Sequence, residues 1–164
     1  MVIFRFHDHW HAHRPDGIFT GMIDALDWKA YLPENGRIIT HPPTTLEALA
    51  KEVQSKLKIR TMRVIGDPQL KVSTIAYSPG YSSAGRGMSR DGIDVVMIGE
   101  AREWEGVEYA QDAIAAGNKK GMIILGHAIS EEAGMNNCAK WLKTFVTEVP
   151  VEFIPAGEPF WSPK

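Results

Sequence analysis

Apolar residues recur with helical spacing at 18, 19, 22, 23 and 26, predicting a helix over residues 18–28. The same reading predicts a helix after Thr44 or Thr45 as cap, with Leu46, Leu49, Ala50, Val53 and Leu57 as its stripe. Residues 103–116 form a third such pattern, with Val107, Ala110 and Ile114 inward and Gly117 just past the end. Residues 130–146 form a fourth, with Ala133, Trp141, Leu142 and Phe145 among its core positions. Short apolar runs predict strands at 2–6, 37–40, 62–65, 72–77, 93–98, 122–125 and 151–154. Pro42-Pro43 is expected to break the second of these, and Gly66-Asp67-Pro68 to fold the third and fourth into a hairpin. Turn chemistry marks Arg14-Pro15-Asp16-Gly17 and Pro33-Glu34-Asn35-Gly36. Residues 78–90, rich in Gly and Ser, read as a loop.

From residue 93 onward the order is strand, helix, strand, helix, strand. That alternation implies parallel strands joined by right-handed crossovers, an α/β sheet. The 164 residues suit one domain, 1–164, with possible lobes at 1–60 and 61–164.

Charge narrows the function classes. Lys and Arg number 18 against 20 Asp and Glu, a net charge of -2. No basic stripe favours non-specific nucleic-acid binding. The one cysteine, Cys138, excludes an internal disulfide framework and suits a reducing compartment. No apolar run approaches the roughly 20 residues of a membrane span, and the first residues lack a secretory h-region, so the expected address is cytoplasmic.

Histidine is the unusual residue: four of six lie between positions 7 and 13. In an extended segment His7, His9, His11 and His13 would share one face. Neutral imidazole is a common metal ligand, and Asp8 would join if the strand ended at His7. His127 follows an apolar strand, and Glu131 lies one helical turn further on, so both can enter one crevice. Glu100, also at a strand end, is a candidate for proton transfer or for orienting a metal ligand. The 79–87 loop with Arg86 is a weak candidate for cradling phosphate. His41 reads as a loop histidine and Cys138 as buried packing, while Glu103 and Glu105 flank a Trp104 expected to pack inward.

Several blocks resemble the NIF-three-like family, also known as GTP cyclohydrolase I type 2 homologues or dinuclear metal centre hexameric proteins. The matching blocks are Arg63-Val64-Ile65-Gly66-Asp67, Asp94-Val95-Val96-Met97-Ile98-Gly99-Glu100, Tyr109-Ala110-Gln111-Asp112-Ala113, and Gly126-His127 with Ser130-Glu131 and Gly134. His7, His13 and Gly17 also fall on the family's middle block, where its ligand Asp falls on His11 and Asp8 is the alternative carboxylate. The family's upstream ligand block has no counterpart here.

The resemblance implies His127 and Glu131 as ligands, and one or more of His7, Asp8, His9 and His11 is expected to complete the site. It implies a mixed α/β sheet in two intertwined lobes and a homo-oligomer, often a hexameric ring. The activity it implies is hydrolysis of a small, nucleotide-like molecule by water activated on one or two divalent ions (Zn, Mn, Fe or Ni). A non-catalytic metal-binding regulatory or assembly role, or a truncated member with a vestigial site, is the alternative.

Overall fold

The structure is a computed structural model that describes residues 2–33, 37–83 and 85–163, apart from the side chains of residues 85 and 86. The predicted turn over residues 33–36 lies largely outside the described residues.

Five strands form one mixed sheet in the order β1-β3-β4-β5-β2. They are β1 (Ile38–Thr45), β2 (Arg63–Ile65), β3 (Lys71–Tyr81), β4 (Val95–Glu100) and β5 (Gly121–Ile124). The central three are parallel, and the edges β1 and β2 run antiparallel to their neighbours. β4 and β5 read as unbroken apolar runs because helices cover both sheet faces.

One layer contains α2 (Gly17–Ala25), α3 (Leu46–Leu57) and α6 (His127–Leu142). Met22, Leu26, Trp28, Leu46, Leu49 and Val53 bury there against Ile75, Val95 and Met97. On the other face, Ala110 of α5 (Glu108–Ala115) and Met88 of α4 (Gly85–Met88) pack on Val96, Ile98, Met122 and Ile124. Each such buried side chain stabilises the fold by roughly 1.5–3 kcal/mol before entropy is counted. None of the described helices is long and apolar enough to cross a membrane.

Four expectations are corrected. Residues 2–6 join no sheet, and Val2, Ile3 and Phe4 are exposed. β1 runs through Pro42 and Pro43; as an edge strand it accommodates residues without an N–H, and its register breaks between Thr40 and Thr44. β2 and β3 form no hairpin. The chain after β2 crosses the start of α3, where Leu46 and Glu47 donate to the carbonyls of Leu70 and Pro68, and β2 pairs with β5 at the opposite edge. Residues 151–154 form no strand, and Ile154 is exposed.

Other differences are smaller. β3 extends through Gly80 to Tyr81, so the first part of the expected glycine loop is strand. A π-turn over Glu103–Val107 precedes α5 and leaves Trp104 exposed beside Arg102. α6 begins at His127 rather than Ser130 and ends at Leu142, leaving Phe145 more than half exposed. Cys138 is buried, and burial pushes its thiol up from the ordinary value.

Candidate metal centre

The histidine run forms a helix, α1 (Asp8–Ala12), rather than an extended segment. Its anchor is Trp10, which is buried and donates from Nε1 to the Gly134 carbonyl at 3.0 Å. Arg14 closes the turn by donating from Nη1 to the carbonyls of His11, Ala12 and His13. Period-two alternation therefore gives way to helical phase, and the four imidazoles part company.

His7 and His11, one turn apart, face the same way, with ring centroids 4.9 Å apart. His9 stacks on Phe6 at 5.6 Å. His13 packs beside Trp10 and Trp141, and its Nδ1–H donates to the Pro15 carbonyl. Asp8 is exposed and accepts from His7 Nδ1 at 2.6 Å; that hydrogen bond holds its carboxyl below the usual range. Asp8, His9 and His127 stand outside the cluster of His7, His11 and Glu131, although His127 approaches Glu131 itself.

Helix α6 brings the other half. Gly126, at φ +95°, turns the chain out of β5 so that the helix starts on His127 itself. His127 and Glu131 then stand one turn apart, with Nε2 3.6 Å from Glu131 Oε1. From the α1 side, His11 Nε2 lies 3.9 Å from the same oxygen. His7, His11 and Glu131 each offer a ligand atom, all within 4.8 Å of one another. Glu131 is the deepest member at 16% side-chain exposure, while His7 is 59% exposed.

Three imidazoles are backed by carboxylates, His7 by Asp8 among them. His127 Nδ1–H donates to Glu100 Oε1 at 2.9 Å, which turns Nε2 toward Glu131. His11 Nδ1 lies 3.6 Å from Asp16 Oδ1. Asp16 is buried, caps α2 through the amides of Ile18 and Phe19, and pairs with Arg37.

The floor is built from glycine. A Cβ on Gly80, which sits at φ +62°, would overlap Glu131 Oε1 and stand 3.3 Å from His127 Nε2. Gly80 donates to Ser130 Oγ, and the Tyr77 hydroxyl donates to the Ser130 carbonyl at 2.5 Å. Burial, reinforced by the Glu131 and Asp16 charges, pushes the Tyr77 phenol well above its ordinary value. Gly21 and Gly134 let α2 and α6 touch backbone to backbone.

Asp16 and the tail residue Glu158 escape a functional reading from the residues alone, and Gly80 enters it only as part of the phosphate-cradling loop. A signal existed for Asp16, an acid just before an apolar helical stripe. His41 is corrected from loop histidine to a buried β1 residue bonded to Glu52. The proposed role of Arg86 lies outside the described side chains.

A mixed sheet carrying a His–carboxylate cluster where a parallel strand meets a helix defines an α/β protein with a candidate metal centre. The family model Duf34/NIF3 (NGG1p interacting factor 3) matches residues 6–159, and the chain belongs to this family. The solved structure of protein ybgI, of unknown function, is similar over 96% of this chain and 62% of its own, at 21% identity and a TM-score of 0.73. Staphylococcus aureus hypothetical protein SA1388 is similar over 76% and 42%, at 20% identity and a TM-score of 0.58. A Bacillus cereus protein related to NIF3 is similar over 65% and 28%, at 22% identity and a TM-score of 0.55. At these identities the likeness is one of fold. The chain thus spans less than two thirds of the length of each of these structures. No curated protein matches the chain.

Proposed function

We propose that His7, His11, His127 and Glu131 hold a divalent metal ion and that the protein is a metal-dependent hydrolase of the cyclohydrolase kind. The observation that carries the reading is the convergence of His7, His11 and Glu131 within 4.8 Å, from helices more than a hundred residues apart in sequence. The donor set fits such an ion: nitrogen and carboxylate ligands suit Zn, Mn, Fe and Ni. The absence of a side chain at Gly80 leaves room for it beside Glu131.

A divalent ion bound there would supply Lewis acidity and lower the pKa of a water toward ~7. The chain's own groups do the rest. Glu100 Oε1 keeps the His127 proton on Nδ1, so Nε2 presents a lone pair. Glu100 also lines the adjoining cavity, where its carboxylate could exchange a proton with a bound substrate. The exposure of His7 and His127 leaves one side of the site accessible to substrate.

The test begins with metal content of the purified protein and titration with Zn, Mn, Fe and Ni. Bound metal in the chain and none in His127→Ala supports the centre; equal affinity in both removes it. Incubation of loaded protein with GTP, followed for ring-opened product, tests turnover. Full loading without product on any ring substrate would leave a regulatory metal-binding role. Assembly into a ring, implied by the family resemblance, is checked by sedimentation.

A further inference from the structure

Beside Glu100 and His127 opens a cavity of about 710 Å³. Its floor is apolar and includes Met62, Ile124, Leu125 and Ile129. Its outer wall is the tail, which contributes Phe160 and Trp161, both largely exposed. Glu158 pins that wall. Its carboxylate accepts from the backbone amides of Arg60 and Thr61 at 2.7 Å each and from the Thr61 hydroxyl. Burial alone would raise the Glu158 carboxyl; these donors outweigh it and hold it below its usual range.

The charges around the cavity do not form an anion site. Arg60 is committed to Glu158, through Nε to its carboxylate and Nη2 to its carbonyl. Arg63 is paired with Glu103. Two guanidiniums thus stand against three carboxylates, and the one left over, Glu100, faces the cavity beside His127. A phosphate entering here would find both cations engaged and a carboxylate opposite it.

We propose that this cavity binds an uncharged planar ring compound bearing an N–H, stacked on Phe160 and Trp161 with the N–H donated to Glu100. The proposal rests on the metal-hydrolase reading only in making this ligand the substrate; binding itself needs no metal. Aromatic side chains with open faces favour flat rings, and a carboxylate in a partly apolar chamber favours a donor.

The test is a fluorescence titration of the full chain, with and without Zn, taking the difference from Trp161→Phe as the Trp161 signal. The probes are uncharged bicycles (hypoxanthine, quinazolinone and indole) against GTP and naphthalene sulfonate. Saturable quenching by at least one uncharged probe, about tenfold tighter than either anion, is expected in both conditions. Glu158→Ala should abolish that quenching while circular dichroism stays unchanged. Tighter binding of either anion, or no saturation by any uncharged probe, overturns the proposal. So does undiminished binding in Glu158→Ala. Loss of metal affinity in His127→Ala is read separately, so the metal centre and the cavity can fail independently.

Discussion

Among the described residues two histidine–carboxylate clusters stand out, and they are built on opposite plans. Around Glu52 the groups close on one another. Trp28 Nε1 donates to Glu52 Oε1 at 2.9 Å, and Lys56 reaches the same oxygen at 3.0 Å. His41 Nδ1 donates to the Pro42 carbonyl at 2.7 Å, and its Nε2 lies 3.2 Å from Glu52 Oε2. Trp28 and Tyr31 close over the imidazole edge-on. Around Glu131 the nearest imidazole nitrogens stop at 3.6 and 3.9 Å, beyond hydrogen-bond reach. The first cluster is satisfied by its own members and reads as structural. In the second, the imidazoles of His11 and His127 turn toward one carboxylate oxygen without reaching it, and the proposed metal centre rests on that arrangement.

The largest test strikes the scaffold under the second cluster. A Cβ on Gly134 would overlap the backbone of Ile18, forcing α6 away from α2. Gly134→Ala should therefore cost about 3 kcal/mol in urea unfolding, the upper range for overpacking. It should also weaken metal binding, because α1 is tied to this point through Trp10. A stable variant with intact metal affinity would show that the helix contact does not set the site.

Next in size is the contrast between the two histidines. His127→Ala should lower metal affinity at least about a hundredfold, the upper range even for partners one shell removed from a metal. It should leave metal-free stability within about 0.5 kcal/mol, since the side chain is half exposed. His41→Ala should do the reverse, unfolding at lower urea with metal affinity intact. Matching effects from the two variants would erase the distinction.

The closed cluster also makes a pH prediction. Burial alone would raise the Glu52 carboxyl, but hydrogen bonds from Trp28 and Lys56, with the Lys56 and His41 charges, leave it below its ordinary value of 4.5. Its stabilisation is thus fully present above that value and is lost as pH falls through the lower, folded one. Glu52→Gln should cost about 1–2 kcal/mol at pH 7. It should also shrink the acid loss, so wild type and variant converge toward low pH. Parallel stability curves would count against the linkage.

The legible parts of the molecule were those where burial leaves a simple pattern. β4 and β5, covered on both faces, read as apolar runs, and α3 announced itself by stripe and Thr45 cap. The His127–Glu131 pair was legible because four residues make one turn once a strand hands over to a helix. The pairing of His7 with His11 follows from a different geometry than the extended one. His7 and His11 differ by four, which satisfies an extended strand and a helical turn alike; only the burial of Trp10 chooses between them. Long-range partners stayed hidden. Glu158 meets Arg60 across nearly a hundred residues. Gly80 matters for what a side chain would strike, which no local pattern records.

The finest test concerns the contact of His127 with Glu100. Glu100 is half exposed and touches His127 only at Nδ1, 2.9 Å away. An amide in its place accepts a proton more weakly, or turns its NH2 toward Nδ1 and drives the ring proton onto Nε2. Nε2 is the atom that faces Glu131, so a proton there competes directly with a metal. Glu100→Gln should therefore weaken metal binding about tenfold. It should leave urea stability within about 0.5 kcal/mol, and Glu100→Asp should recover only part of the affinity. A purely structural Glu100 would change stability and not affinity. A catalytic Glu100 that does not position His127 would lower turnover at full metal loading and leave the binding curve where it was. Titration and turnover measured on the same variant therefore separate orientation of the ligand from transfer of the proton.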